Sequence, residues 1–240
     1  MITRKAEEYA ARELKKRLSP RHGLSIWWVL LWTPLLWALS ALLLASLPHL
    51  PSQTFTGLAT NGFGFGFALG AVLFLNFPCR PVYVLGHELT HWLAAKLTFH
   101  QTGKLRLGLR QGSIDIPKPT LFIVLAPYVV PFYLLLSLGA IAVLTHCWNS
   151  RPDIFPLMAG IWLGLCYSYH IVLTILALAH GQSDLDFRGP VLSYSAIVFG
   201  NLLIMYLLLA GAGHQWGRAW QIPWQILRQS YRFLHNQLPI

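Results

Sequence analysis

Long stretches of apolar residues, separated by short polar connections, make up most of the chain. The first stretch, 24–47, carries no charge, and a helix of that length would cross a hydrocarbon core of about 30 Å. Further apolar stretches cover 58–77, 82–97, 120–145, 155–179 and 190–212. The pattern therefore predicts an all-α multi-pass membrane protein with about six transmembrane segments.

The polar residues outside these stretches divide the chain into three parts. Residues 1–23 form an arm that is too long and too mixed in charge for a signal peptide, so we interpret 24–47 as a retained anchor. Residues 24–212 are the predicted polytopic membrane domain. Residues 213–240 combine tryptophans with arginines, which is typical of an amphipathic helix in the membrane interface; a partly ordered tail fits the same composition.

Composition agrees with a membrane location. Of the 240 residues, 55% are hydrophobic and 11% are charged, whereas a soluble domain carries roughly a quarter charged residues. The apolar stretches leave no room for a separate soluble catalytic domain. Any chemistry must therefore be built from the membrane-embedded part, and the location we expect is a bacterial cytoplasmic membrane.

Charge placement and cysteine content exclude several kinds of site. Seven of the 18 lysines and arginines lie within the first 21 residues, ahead of the first apolar stretch. This placement indicates a cytoplasmic amino terminus that is attracted to the anionic lipid bilayer, and it argues against nucleic acid as a partner. Cys79, Cys147 and Cys166 are odd in number and lack a Cys-x-x-Cys spacing, which argues against a disulfide framework and a thiolate metal site.

One polar segment has the alternation of a β-strand. From 104 to 110, leucines alternate with mostly basic residues, and Gln111-Gly112 then precedes the short stretch 113–116. This pattern predicts a β-hairpin in the polar connection between the apolar stretches 82–97 and 120–145. Backbone groups exposed to lipid have no partner, so the hairpin should lie at the interface or in a cavity lined by protein. It could hold an extended peptide by strand addition, or anchor to lipid head groups through its basic residues.

The motif that carries chemistry is Gly86-His87-Glu88-Leu89-Thr90-His91. On a helix, residues four apart lie on one face, so the imidazoles of His87 and His91 can bind one metal ion. Glu88 lies beside them, where its carboxylate can act as a general base. Ionisable residues within an apolar helix are costly and are functional by default. The motif therefore predicts a metal site of the zincin type.

Zinc usually takes a third protein ligand, and few residues can supply it. No glutamate follows Glu88, and the position six residues beyond His91 is Leu97, which excludes a downstream glutamate ligand and the metzincin spacing. Asp184 and Asp186 lie directly between two apolar stretches, where a carboxylate could turn into the helix bundle, so they are the preferred candidates. The other acids and histidines that remain are Asp115, Asp153, His100, His146, His170 and His180.

Together these features resemble the site-2 protease family of intramembrane zinc metalloproteases. In that family a Gly-His-Glu-x-x-His motif in a membrane helix is followed by a β-element and by an aspartate near a later membrane helix. The resemblance covers about 82–212. It implies that His87 and His91 bind Zn²⁺ and that Glu88 is the catalytic base. It also implies that Asp184 or Asp186 is the third ligand.

The chain departs from the family at the second motif, the one that contains the aspartate ligand. The choice between Asp184 and Asp186 as the third ligand therefore stays open. Leu185-Asp186-Phe187 stands where the family has Leu-Asp-Gly, and the Asn-x-x-Pro lead-in is missing. We favour Asp184, because Ser183 can cap the helix that follows and so turn Asp184 towards its first turn.

Two histidines and an asparagine in or near apolar stretches each have more than one possible role. His170 and His180 stay open as ligands or as supporting residues, although a histidine in a membrane helix more often bonds a neighbouring helix. Asn201 could orient substrate, but a helix contact is the favoured role.

The resemblance implies a zinc-dependent intramembrane endopeptidase that hydrolyses peptide bonds in membrane-embedded or membrane-proximal protein segments. In this mechanism zinc lowers the pKa of a bound water to about 7 and Glu88 takes the proton. The partner is a membrane protein substrate, and a regulatory membrane partner is left open. The alternative is a non-proteolytic membrane protein that keeps the fold in a binding or regulatory role; the retained Glu88 favours the enzyme.

The topology of 60–118 also stays open. With a cytoplasmic amino terminus and every apolar stretch crossing, the loop with Lys104 and Arg106 would lie outside, against the positive-inside rule. An inside location requires that the stretch before Pro78 does not cross separately, or that the amino terminus lies outside.

Overall fold

The computed structural model describes residues 26–50, 57–109, 112–148, 150, 152–180, 182–187, 189–212 and 216–237. The predicted arm 1–23 and the tip of the predicted hairpin lie outside these residues.

The described chain is mostly helical, as expected, with one small antiparallel sheet. In chain order its helices are α1 (Ile26–Ser46), α2 (Leu58–Asn76), α3 (Arg80–Leu97), α4 (Leu121–Val129), α5 (Phe132–Cys147), α6 (Phe155–Ala179), α7 (Pro190–Ala212) and α8 (Trp216–Gln237). Short 3-10 turns cover Leu47–His49 and Ser183–Asp186. Strands β1 (Leu105–Leu107) and β2 (Gly112–Ile114) pair with Leu105 opposite Ile114. The hairpin after the helix with the histidine motif is therefore present, with shorter strands than the alternation predicts.

Four of the described helices, α1, α2, α6 and α7, are long and apolar enough to cross a membrane. The consecutive helices α4 and α5 would form a fifth span with a bend of 67° between them. Helix α3 does not qualify, because its 18 residues include Arg80, Glu88 and Lys96. The helices therefore mark the chain as a membrane protein, whereas the expected six segments are not shown.

Helices α2 and α6 approach each other along a series of glycines, which we call the glycine seam: Gly62, Gly66, Gly70, Gly160 and Gly164. A Cβ atom on Gly66 would collide with the carbonyl of Ile161, and one on Gly164 would collide with the carbonyl of Phe63. Small residues at such spacing let helix backbones touch, which is how helices associate where lipid removes the hydrophobic driving force. The seam fixes α2 against α6, with both helices running in the same direction.

The histidine motif lies at one end of the bundle, the site end, which holds the turn Ser183–Asp186. Because α2 runs parallel to α6, α2 ends at this same end. Helix α4 begins there too, since its Val124 and Leu125 pack against Leu185 in the turn after α6. The chain from the end of α2 to the start of α4 therefore leaves and returns at one end of the bundle.

The opposite end of the bundle is closed by α8. Leu50, just after α1, packs there with Ala210 near the end of α7 and with Ala219 of α8. Helix α1 therefore begins towards the site end. Helix α8 lies within the predicted tail, and its tryptophans Trp216, Trp220 and Trp224 are exposed. The position of this tail in the membrane interface stays a prediction.

The glycine seam predicts opposite effects for two neighbouring substitutions in α2. Gly66→Ala should destabilise the protein by about 1–3 kcal/mol, because the new methyl group meets backbone that cannot move aside. Gly64→Ala should be neutral or stabilising by up to about 1 kcal/mol, since alanine is the better helix former and no atom lies within 4 Å of the added Cβ. Thermal unfolding in detergent compares the two variants, and equal stabilities would contradict the close packing.

Candidate metal centre

Helix α3 starts from a break in the chain that two tyrosines hold in place. The break follows from Pro78 and Pro81, which cannot continue the preceding helix. The hydroxyl of Tyr169 on α6 donates to the carbonyl of Cys79 at 3.0 Å, and that of Tyr133 on α5 donates to the carbonyl of Val82 at 2.6 Å. These bonds satisfy carbonyls at the start of α3 and set its direction relative to the bundle.

From this start, α3 presents both histidines of the motif to Asp184. The Nε2 atoms of His87 and His91 lie 3.2 Å apart, and each is 3.5 Å from Oδ2 of Asp184. These three residues form the group of the described chain that could hold a metal ion. Ligand atoms about 2.0–2.2 Å from a tetrahedral ion lie roughly 3.3–3.6 Å from one another, so the observed separations suit an ion at their centre.

Hydrogen bonds outside the group orient two of the three candidate ligands. Nδ1 of His91 donates to the carbonyl of Ile123 at 2.8 Å, which leaves Nε2 free to bind a metal. The hydroxyl of Tyr128 donates to Oδ2 of Asp184 at 3.0 Å. Nδ1 of His87 is buried without a hydrogen-bond partner among the described residues, as is the hydroxyl of Tyr83, whose ring lies 5.4 Å from the His87 ring.

Asp184 lies in the 3-10 turn between α6 and α7, outside the candidate spans. Burial raises the pKa of its carboxyl, but the neighbouring imidazoles of His87 and His91 lower it more, so the pKa lies below its ordinary value. The group is therefore held as a carboxylate, the form that binds metal ions. The backbone of Ser183 lies in this turn and α7 begins at Pro190. The Ser183 side chain, which was expected to cap the following helix, lies outside the described part of the structure.

Glu88 is buried, with 7% of its surface exposed, but it is not part of the three-residue group. Strand β2 lies directly against it. A Cβ on Gly112 would lie 2.6 Å from Cγ of Glu88 and 2.9 Å from its Oε1, so only glycine allows the hairpin to approach this closely. The arrangement leaves a carboxylate beside the candidate ligands, covered by the hairpin and available to accept a proton.

The other candidate ligands lie apart from this group. Asp186 is exposed, and Nδ1 of His180 lies 2.6 Å from the carbonyl of Leu176 in its own helix. Nε2 of His170 lies 3.1 Å from Oδ1 of Asn201, which confirms the helix contacts expected for both residues. The remaining acids and histidines and the three free cysteines do not join the group either: Asp115, Asp153, His100, His146, Cys79, Cys147 and Cys166.

The sequence gives no sign of Tyr128 or Gly112 as parts of the site. Tyr128 is a single tyrosine in an apolar stretch, which is ordinary for a core or interface residue. Gly112 follows the predicted strand as a turn residue would. Both become parts of the site only through tertiary contacts.

Comparison with protein-family models, with curated proteins and with solved structures gives no match. The interpretation of the site therefore depends on the chemistry of its residues.

The geometry predicts different metal contents for two aspartate variants two residues apart. Asp184→Asn should lose most of the bound metal, because the substitution removes the anionic ligand. Asp186→Asn should keep about one ion per chain, like the wild type. The two histidines and Asp184 supply the three protein ligands of a catalytic site, and water takes the fourth position. Inductively coupled plasma mass spectrometry of the purified proteins measures the content. A wild type without metal, or equal losses in both variants, would rule out the proposed ligand set.

Proposed function

We propose that the protein is a zinc-dependent intramembrane endopeptidase of the site-2 protease kind. The position of Glu88 carries the proposal. It is buried on the helix that presents both histidines, yet it stands outside the group that could share a metal ion. A site that only binds a metal for structure has no use for a free carboxylate at its edge, whereas metal-assisted hydrolysis needs a base there.

Zinc is the metal that best fits the residues. Two imidazoles and one carboxylate are a known ligand set of catalytic zinc in peptidases, and they leave a fourth position for water or substrate. Structural zinc sites instead fill all four positions, mostly with cysteines. The described cysteines all lie outside the group, which favours a catalytic site.

The mechanism assigns a step to each residue around the site. Bound zinc would supply a Lewis acid that polarises the peptide carbonyl and acidifies the attacking water. Glu88 accepts the proton from that water and returns it to the leaving nitrogen, which departs as an amine. The carbonyl of Ile123 holds the His91 ring, and the hydroxyl of Tyr128 holds the Asp184 carboxylate, so neither ligand has to reorient during the reaction.

The hairpin supports an extended segment of a membrane protein as the substrate. Peptide bonds in a helix are shielded by their own hydrogen bonds, so a helical substrate must unwind before hydrolysis. The described sheet has two strands, which leaves backbone groups at its edges for strand addition. Because β2 lies against Glu88, a peptide added to this sheet would run close to the base.

The direction of the helices supports a site that opens towards the cytoplasm. The hairpin, with Lys104 and Arg106, joins α3 to the start of α4 and so lies at the site end. Helix α1 begins towards the same end, directly after the basic arm. The positive-inside rule places both basic segments on the cytoplasmic side. A path in which α3 turns back instead of crossing would remove the conflict that six crossings create for this loop.

Glu88→Gln tests the enzymatic function while preserving the shape of the side chain. The variant should keep its metal but lose peptidase activity by about 10²–10⁴-fold, because the amide cannot accept the proton. Quantitative comparison of membrane proteomes from cells with either form should then show an uncut substrate that accumulates with Glu88→Gln.

Asp186→Asn is the matched control, since it removes an exposed carboxylate near the site and should leave the proteome unchanged. If Glu88→Gln and wild-type cells have identical membrane proteomes, the non-proteolytic binding or regulatory role replaces the enzyme.

A further inference from the structure

Resting on the proposed function, we infer that Asn201 on α7 is a positioning residue for the metal site, acting on Asp184 through Tyr128. Asn201 does not touch the candidate ligands. It fixes the residue whose hydroxyl binds Asp184.

The hydrogen bonds around Asn201 allow one orientation of its amide. Nδ2 lies 2.8 Å from the carbonyl of Tyr128 and 2.9 Å from the carbonyl of Ile197. Both partners are acceptors, so the NH₂ group must face them and Oδ1 must face His170. Nε2 of His170 therefore donates to Oδ1 of Asn201, at 3.1 Å. His170 on α6 thus fixes the side-chain amide of Asn201, and that amide binds the backbone of α4.

The carbonyl of Tyr128 needs this donor because the helix breaks just after it. Helix α4 ends at Val129 and α5 begins at Phe132, with a bend of 67° between the two. In an unbroken helix the N–H of Phe132 would bind this carbonyl, but Phe132 lies beyond the bend, and Pro131 has no backbone N–H to replace it. A backbone carbonyl in a membrane-embedded bundle must find a partner within the protein, and Asn201 provides it.

The position of the Tyr128 backbone determines where its hydroxyl lies. Tyr128 is completely buried, its ring packs edge-on at 5.2 Å from the His87 ring, and its hydroxyl donates to Asp184. A tyrosine side chain has two rotatable bonds up to the ring, so an enclosed ring transmits a backbone shift to the hydroxyl. A chain of contacts thus leads from His170 in the middle of α6 to the third candidate ligand.

The test measures Zn²⁺ affinity in detergent by competition with a fluorescent chelator. Tyr128→Phe removes the hydroxyl alone and should weaken binding by about 10–100-fold, as loss of a partner to a metal ligand does. Asn201→Ala should weaken binding by about 10-fold through displacement of that hydroxyl. Because both changes act through one bond, the double variant should bind about as weakly as Tyr128→Phe alone.

Two further measurements separate positioning from general loss of stability. Tyr206→Phe removes a tyrosine hydroxyl that donates to the Ala219 carbonyl at the opposite end of the bundle. It should lower the unfolding temperature without changing Zn²⁺ affinity. In Co²⁺-loaded protein, the visible absorption bands should shift for Asn201→Ala and stay unchanged for Tyr206→Phe, because only the former alters the ligand environment.

The outcomes distinguish this inference from the proposed function. A wild type that binds no Zn²⁺ overturns both. A wild type that binds Zn²⁺, with an unchanged affinity in Asn201→Ala or fully multiplicative losses in the double variant, overturns only the role of Asn201. If Asn201→Ala does not fold, His170→Phe decides, because it removes the hydrogen bond that anchors the amide while keeping a planar ring, and it should weaken Zn²⁺ binding several-fold. Wild-type affinity in that variant overturns the inference.

Discussion

A carboxylate that is partly buried at the end of an apolar helix bundle is costly unless groups of the protein compensate its charge. Asp184 finds them in two imidazoles and a tyrosine hydroxyl, all directed at the same oxygen atom. These partners come from α3 and α4, neither of which is a full membrane span. The bundle therefore has to hold two short helices and a hairpin against its long helices, and most of its unusual features serve this purpose. The glycine seam joins α2 to α6, the proline break redirects α4 into α5, and tyrosines fix the start of α3.

The parts of the site that depend on local spacing could be predicted from the sequence. His87 and His91 share a helix face because they are four residues apart, and Glu88 follows as their neighbour. The alternation of 104–110 correctly predicts a strand, although β1 ends at Leu107, before the pattern does. A contact with a neighbouring helix was also the expected role of His170 and of Asn201, each taken separately. That the two residues bind each other appears only in the structure.

The remaining features depend on tertiary contacts that no single segment encodes. The turn after α6 presents Asp184 and not Asp186 because Leu185 is buried between α4 and α7, where its carbonyl accepts a hydrogen bond from Ser193. The reason for choosing Asp184 from the sequence was capping by Ser183, whose side chain lies outside the described part of the structure. A count of apolar stretches also could not show where α3 begins and where the chain after it leads. The parallel packing of α2 and α6 places the end of α2 at the site end, and α4 begins at the same end. The role of Tyr128 is hidden for the same reason, since it depends on the bend after α4.

The most direct test of the account is proteolysis by the purified protein in liposomes. The wild type would be incubated with membrane-spanning peptides that carry a helix-breaking segment near the membrane face where the site end lies. Cleavage would be followed by mass spectrometry. The account predicts cleavage within that segment, loss of cleavage after treatment with a chelator, and recovery when Zn²⁺ is restored to the wild type but not to Glu88→Gln. Cleavage that persists in the chelator-treated protein or in Glu88→Gln, or no cleavage of any such peptide by zinc-loaded wild type, would contradict it.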